Sequence, residues 1–160
     1  MVDWVQEFIK QSPFAIMATS DSEGNCDASP KGGKPGFIKV IDKTHLLIPD
    51  VAGNKLFQSY ENIESNSKIG IIFFIPGVNE CARVNGRVSI IRNGDPVFDK
   101  INLEVFEPDE NAKVLQALLL EVDESYGHCS RALNFSKTWD IETIANNQNN
   151  PPIGKKPPGT

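Results

Sequence analysis

Four lysines, Lys31, Lys34, Lys39 and Lys55, fall within one quarter of this 160-residue chain, beside two glycine-bearing stretches. These are Pro30-Lys31-Gly32-Gly33-Lys34-Pro35-Gly36 and Gly53-Asn54-Lys55. A phosphate group is held by backbone N–H groups free of side-chain bulk, by cations, and best of all by a helix N-terminus. Gly53-Asn54-Lys55 opens a segment with Leu56, Tyr60 and Ile63 at helical spacing and meets all three conditions; the loop at 30–36 meets the first two. Neither is a Walker loop or a dinucleotide fingerprint, since the Gly-x-Gly-x-x-Gly spacing is absent. Solvated lysines on surface loops would give the same residues, so the composition of these stretches defines an available chemistry and not its use.

Three further groups carry potential chemistry. Arg83, Asn85 and Arg87 alternate along one strand-like segment and so share a face, either an outward polar face or the wall of a ligand groove. His128 and Cys129 are adjacent, but neighbours in a helix or strand do not face each other, so they do not form an activated nucleophile pair. Trp139, near Arg131 and Lys137, could stack on a planar ligand or serve as a core anchor. Glu121, Asp123 and Glu124 read as a solvated turn.

The elements that must position these residues follow from periodicity and turn signals. Val2, Val5, Phe8 and Ile9 give an amphipathic helix over 2–11, closed by Pro13. The run Phe14 to Thr19, the turn Asp21-Ser22-Glu23-Gly24-Asn25 and the return Cys26 to Ser29 form a hairpin. Strands are expected over 37–41 and 45–48, a helix over 53–66, and a doubly buried strand over 69–75. A long strand over 80–92 carries Gly86 as a candidate bulge. Residues 109–122 are rich in helix formers by propensity, with a strand from Lys113 to Val122 as the alternative. A short helix within 127–139, with Cys129, Ala132, Leu133 and Phe135 on its face, follows. Residues 146–160, polar and carrying four of the eleven prolines, read as a flexible tail after a single domain over 1–145.

Composition narrows the function classes. Sixteen cations against twenty-one acids give a net charge of −5, a poor match to non-specific nucleic-acid binding. Three dispersed cysteines and two histidines do not supply the clustered ligands of a structural zinc site. The longest apolar stretch, from Ile69 to Pro76, is too short to span a bilayer, and the first residues carry acids where a secretion signal carries bases. The expectation is a reducing, cytoplasmic setting.

The order of the segments is more specific than any one of them. Phe14 to Thr19 is followed by Cys26-Asp27-Ala28-Ser29-Pro30-Lys31-Gly32, Phe37-Ile38-Lys39-Val40-Ile41-Asp42, and Leu46-Leu47-Ile48-Pro49-Asp50 with Gly53-Asn54-Lys55. Then come Ile69-Gly70-Ile71-Ile72-Phe73-Phe74-Ile75-Pro76-Gly77, Arg83-Val84-Asn85-Gly86 and His128-Cys129-Ser130-Arg131-Ala132. This order resembles the pyridoxamine 5'-phosphate oxidase-like family of FMN-binding split barrels, in an uncharacterised bacterial branch, from about residue 5 to Trp139.

The resemblance implies a mostly β, α+β fold: a six-stranded antiparallel split β-barrel that forms a homodimer with FMN at the subunit interface. It favours a strand at about 113–122. It places Lys55 on the flavin phosphate, with Asn54 standing where relatives carry a second cation, and Lys31 or Lys39 as the upstream cation. Ser29 and Pro30 would lie beside the isoalloxazine. Ile48 and Pro49 replace a Tyr-Thr pair of relatives, Arg83 and Asn85 approach the flavin from the next strand, and Arg131 and Trp139 come from the second subunit. The function implied is that of an FMN-dependent oxidoreductase acting on a small-molecule substrate. The alternative is a non-catalytic module binding flavin, haem or a deazaflavin. The namesake oxidation is disfavoured, because its substrate-binding C-terminal Arg- and His-bearing segment has no counterpart after Trp139.

Overall fold

The computed structural model describes residues 1–51, 57–92, 94–95, 114–154 and 156. Helix α1, Asp3–Gln11, buries Val5, Phe8 and Ile9, the i, i+3, i+4 set that the sequence presents on one face. It stops at Ser12, whose hydroxyl donates to the Phe74 carbonyl at 2.6 Å and ties the helix end to the sheet. Strands β1 (Phe14–Ser20) and β2 (Cys26–Gly32) form the expected hairpin. Asp21 holds its turn by accepting from the N–H groups of Glu23 and Asn25, each at 2.9 Å. Next come β3 (Lys39–Val40), β4 (His45–Val51), α2 (Phe57–Ser65), β5 (Lys68–Phe74), β6 (Cys81–Arg92) and β7 (Val114–His128). Two short helices end the chain, α3 (Arg131–Phe135) and α4 (Ile141–Asn149).

The strands form one antiparallel sheet in the order β2-β1-β5-β6-β7-β4-β3. This is a seven-stranded sheet where the family resemblance implied a six-stranded barrel, and no pairing among the described residues closes it. The extra member, β3, is two residues long and pairs only with β4. The expected strand over 37–41 shrinks because turns take its ends. Phe37 N–H bonds the Lys34 carbonyl, and Ile41 N–H bonds the His45 carbonyl.

Helix propensity over 109–122 is overridden: Val114–His128 is a strand paired with β6 on one side and β4 on the other. Leu118 and Leu120 face the main core, while Ala117 and Leu119 pack with Leu47 and Ile91 on the opposite face. Apolar side chains on both faces suit a central strand, and packing outweighs local preference. Residues 109–113 lie outside the described residues. The strand also takes in Glu121, Asp123 and Glu124, which the sequence reading assigned to a turn.

Gly86 marks a bulge, but the extra residue is across the ladder. Asn85 pairs with Glu124 and Gly86 with Val122, leaving Asp123 of β7 unmatched. The core lies on the face covered by α1 and α2, with Phe73, Met17, Leu46, Leu118 and Leu120 fully buried. Helix α4 is capped by Asp140, which accepts from Thr143 N–H at 2.9 Å, and runs to Asn149, so the tail boundary after residue 145 falls inside a helix.

Candidate functional site

Strand β2 is an edge strand, and its two faces carry different chemistry. Asp27, Ser29 and Lys31 pair with Thr19, Met17 and Ala15, all buried, and so lie on the core-side face. Pro30 pairs with Ile16 on the outer face; an edge strand tolerates a proline because it lacks one neighbour to bond. The sequence reading placed Pro30, Lys31 and Gly32 in a loop; they are the last three residues of the strand.

Lys31 is a buried cation on this face. It is 7% exposed, and its Nζ donates to Ser29 Oγ at 2.5 Å. Burying an ammonium is costly unless hydrogen bonds and charge compensate it. Helix α2 lies over this row: Ser59, in the second residue pair of the helix, donates to Asp27 Oδ2 at 3.4 Å. Farther along, Asn62 Nδ2 donates to Thr19 Oγ1 at 3.0 Å, with both residues buried. The helix therefore brings its first turns to the strand that carries Ser29 and Lys31. Gly53, Asn54 and Lys55, read from sequence as the phosphate corner, lie outside the described residues.

The outer face gathers a second set. Pro30, Ile16, Ile72, Arg83 and Tyr126 form one lateral row across β2, β1, β5, β6 and β7. The Arg83 guanidinium lies over the Tyr126 ring, 5.6 Å from its centroid. In the next row Ala28, Ala18, Gly70, Asn85 and Glu124 are neighbours, and Asn85 Nδ2 donates to Glu124 Oε1 at 2.6 Å. The small residues Ala18 and Gly70 leave an open groove of about 560 Å³ that also touches Ser20, Cys26 and Asn85. A Cβ on Gly70 would stand 3.1 Å from Asn85 Oδ1, so a side chain there would push the Asn85 amide aside by a few tenths of an ångström.

Arg87 does not join Arg83 as a ligand-facing cation. It pairs with Asp123 at 3.1 Å, as does Lys68 at 2.9 Å. The hydrogen bond from Lys68, aided by the Arg87 charge, holds the Asp123 carboxyl below its ordinary range. Cys81, next to Phe74 and His128 on the outer face, has its thiol pushed up by burial, partly offset by Arg83. Such a thiol is a poor nucleophile at neutral pH.

The remaining sequence candidates are dispersed. Lys39 pairs with Leu47, and Pro49 with Ala117, which puts both on the face of the smaller apolar cluster, away from Lys31. Arg131 is exposed, its guanidinium 5.0 Å from the Phe135 ring centroid. Trp139 is half-buried, and its indole N–H is buried without a hydrogen-bond partner among the described residues. The structure thus unites Ser29 with Lys31 on one face, and Pro30 with Arg83 and Asn85 on the other. Ser59, Asn62 and Tyr126 were missed by sequence reasoning. Only the register of distant segments reveals them, although the alternation of Asp27, Ser29 and Lys31 was open to reading.

The family model for pyridoxamine 5'-phosphate oxidase matches residues 1–128. The chain belongs to that family. A search of the curated proteins found no match. Among solved structures, one similar protein is a candidate pyridoxamine 5'-phosphate oxidase from Lactobacillus delbrueckii. It is 22% identical with a TM-score of 0.60, covering 79% of this chain and 93% of its own. HupZ from Group A Streptococcus is 16% identical with a TM-score of 0.56, over 79% of this chain and 93% of its own. An FAD binding protein from Mycobacterium smegmatis is 13% identical with a TM-score of 0.55, over 80% of this chain and 94% of its own. At these identities the likeness concerns the fold. No helix among the described residues is long and apolar enough to cross a membrane.

Proposed function

We propose that this family member is a flavin-binding protein that holds FMN at the β2 edge and serves as an oxidoreductase for a small-molecule substrate. The observation that carries this reading is the buried Lys31–Ser29 pair on the core-side face of β2, the face on which Asp27 accepts from Ser59 of α2. A buried ammonium with a hydroxyl beside it, near the first turns of a helix, suits the dianionic phosphate end of a flavin mononucleotide. Family membership and a structural relative named as an FAD binding protein support a flavin in particular.

In this reading Lys31 and Ser29 hold the phosphate together with Asn54 and Lys55, while Lys39 stands apart. Pro30 borders the ring system from the strand edge, with Arg83 and Asn85 on the same outer face as further contacts, while Pro49 stands apart with Lys39. The bound flavin would supply hydride or electron transfer, and the protein position and electrostatics. The protein acts as a homodimer in this proposal, with Arg131 and Trp139 reaching the flavin of the second copy. A cytoplasmic location goes with it, consistent with three free cysteines at Cys26, Cys81 and Cys129.

The test is the visible spectrum of protein purified from cells, with mass spectrometry of any released ligand and oxidation of NADH or NADPH as the activity assay. Bound FMN with turnover establishes the enzyme, and bound FMN without turnover establishes a carrier. A colourless protein that does not take up added FMN overturns the flavin reading, and a released haem or deazaflavin replaces the cofactor.

A further inference from the structure

On the outer face of the sheet, the cation Arg83 has no acid to answer it among the described residues. Lys68 and Arg87 both pair with Asp123, at 2.9 and 3.1 Å, and Glu124 accepts from Asn85 at 2.6 Å. Arg83, two residues along β6 from Asn85, forms no ion pair with any described residue. It is half-buried between Ile72 of β5 and Tyr126 of β7, with Ile16 beyond Ile72. A charge in that position loses hydration without gaining a counter-ion, which is costly unless a ligand brings the anion. The Tyr126 ring, its centroid 5.6 Å from the guanidinium, sets the plane of the donor fork.

Asn85 supplies a second directed group. Its Nδ2 is committed to Glu124, which leaves Oδ1 as an acceptor above Gly70, 3.1 Å from where a Cβ would stand. No described residue donates to that oxygen. Alongside runs the groove of about 560 Å³ floored by Ala18 and Gly70, a volume suited to a small molecule.

The kind of anion follows from charge and shape. A guanidinium fork meets a carboxylate with two parallel N–H···O bonds. One uncompensated cation neutralises a monoanion. A phosphate dianion would keep a net charge close to Glu124 and Asp123, because Lys68 and Arg87 are already engaged. The surface between the two groups is apolar, from Ile16, Ile72 and Ala18, so it favours a hydrocarbon body. A flat body lies along the sheet without lifting its carboxylate from Arg83.

We propose that Arg83 and Asn85 form the substrate-recognition pair, and that the substrate is a small, flat monocarboxylic acid with an O–H or N–H donor at its far end. Arg83 takes the carboxylate, Asn85 Oδ1 accepts from the donor, and the body rests on Ile72 and Ala18. The proposal deepens the flavin reading and rests on it, since the ring system bordered by Pro30 shares this face and meets the substrate there.

Calorimetric titration of the full-length protein incubated with FMN tests the pair, using benzoate, para-hydroxybenzoate and the neutral benzamide as probes. Benzoate is expected to bind roughly tenfold or more tightly than benzamide, and para-hydroxybenzoate more tightly still. Arg83→Gln should cost benzoate roughly tenfold or more and leave benzamide unchanged. Arg83→Lys, which keeps the charge and loses the fork, should recover only part of that loss. Asn85→Ala should erase the preference for para-hydroxybenzoate and leave benzoate binding in place. Far-UV circular dichroism checks that each variant is folded. Equal affinity for benzoate and benzamide, or unchanged benzoate affinity in Arg83→Gln, overturns the anion site. Equal affinity of wild type for benzoate and para-hydroxybenzoate overturns the role of Asn85. The visible spectrum of the same samples separates the two readings. Protein that takes up FMN but binds none of the acids sinks the substrate proposal and keeps the flavin. Colourless protein that binds benzoate through Arg83 sinks the flavin reading and keeps the carboxylate site.

Discussion

A Cβ placed on Gly86 would stand 2.0 Å from the backbone carbonyl oxygen of Glu121, so β6 and β7 approach at this point more closely than any side chain permits. The close approach accompanies the bulge in which Asp123 goes unmatched, and the bulge turns Asp123 toward Lys68 and Arg87. The nearest atom is backbone, so the ladder itself must shift to admit a methyl group. Gly86→Ala is expected to destabilise the fold by about 3 kcal/mol, at the upper end of overpacking costs. Thermal unfolding checks this, and a variant within about 0.5 kcal/mol of wild type, the range of an ordinary surface change, would show that the strands separate freely.

Lys31→Met keeps the length and most of the volume of the buried side chain and removes the charge. Leaving the Ser29 hydroxyl without its donor should cost the fold about 1–3 kcal/mol, so far-UV circular dichroism first establishes that the variant is folded. FMN affinity should fall by about tenfold or more, the scale of one charge-assisted hydrogen bond. Titration of the apoprotein with FMN, followed by flavin fluorescence, reads the change. Unaltered affinity in a folded variant removes Lys31 from the phosphate site.

Much of this architecture was legible in the sequence where one local pattern decides the outcome. Val5, Phe8 and Ile9 announce α1, the Asp21–Asn25 turn announces the first hairpin, and the unbroken run from Ile69 announces a strand, although only its Ile69, Ile71 and Phe73 face is buried and Gly70, Ile72 and Phe74 opposite are half-buried. Residues whose state depends on distant neighbours were not legible. Leu115 to Leu120 have strong helix propensity, yet become a strand because β4 and β6 stand on either side. Lys31, among three glycines and two prolines, looks like a loop cation; its burial goes with its place in β2, opposite buried Ala15 on the core-side face. The order of segments carried the family, since order survives where single motifs do not. The partition of Ser29 and Pro30 onto opposite faces needed only the period-2 rule once the strand's true end was known.

Asn62 and Thr19 form a buried polar contact between α2 and β1. Asn62→Ala leaves the Thr19 hydroxyl buried without that donor and also opens a small cavity. The expected cost is about 2 kcal/mol. Thr19→Val in the same background should return part of it by removing the stranded hydroxyl. Urea unfolding of the two single variants and the double variant closes the cycle, and strict additivity would show that the two side chains are not coupled.

The β3–β4 turn carries the clearest acid-sensitive group among the described residues. The Asp42 carboxylate accepts from Thr44 N–H at 2.7 Å and from the Thr44 hydroxyl at 2.8 Å, and stands 3.0 Å from His45 Nδ1. These bonds, led by the Thr44 backbone N–H, lower its pKa to about 2. An unfolded aspartate titrates near ~3.9, so the folded state prefers the carboxylate and the unfolded state takes up the proton first. Its contribution to stability is therefore complete above about pH 4 and is lost as pH falls toward 2. Asp42 is half-exposed, so solvent screening keeps the effect to a few tenths of a kcal/mol up to about 1 kcal/mol. Asp42→Asn should lower stability by that amount at pH 7 and flatten the stability profile of the turn between pH 4 and 2. Denaturant midpoints measured across this range for wild type and variant test the point. Parallel profiles would mean that Asp42 is equally free to titrate in the folded and unfolded chain.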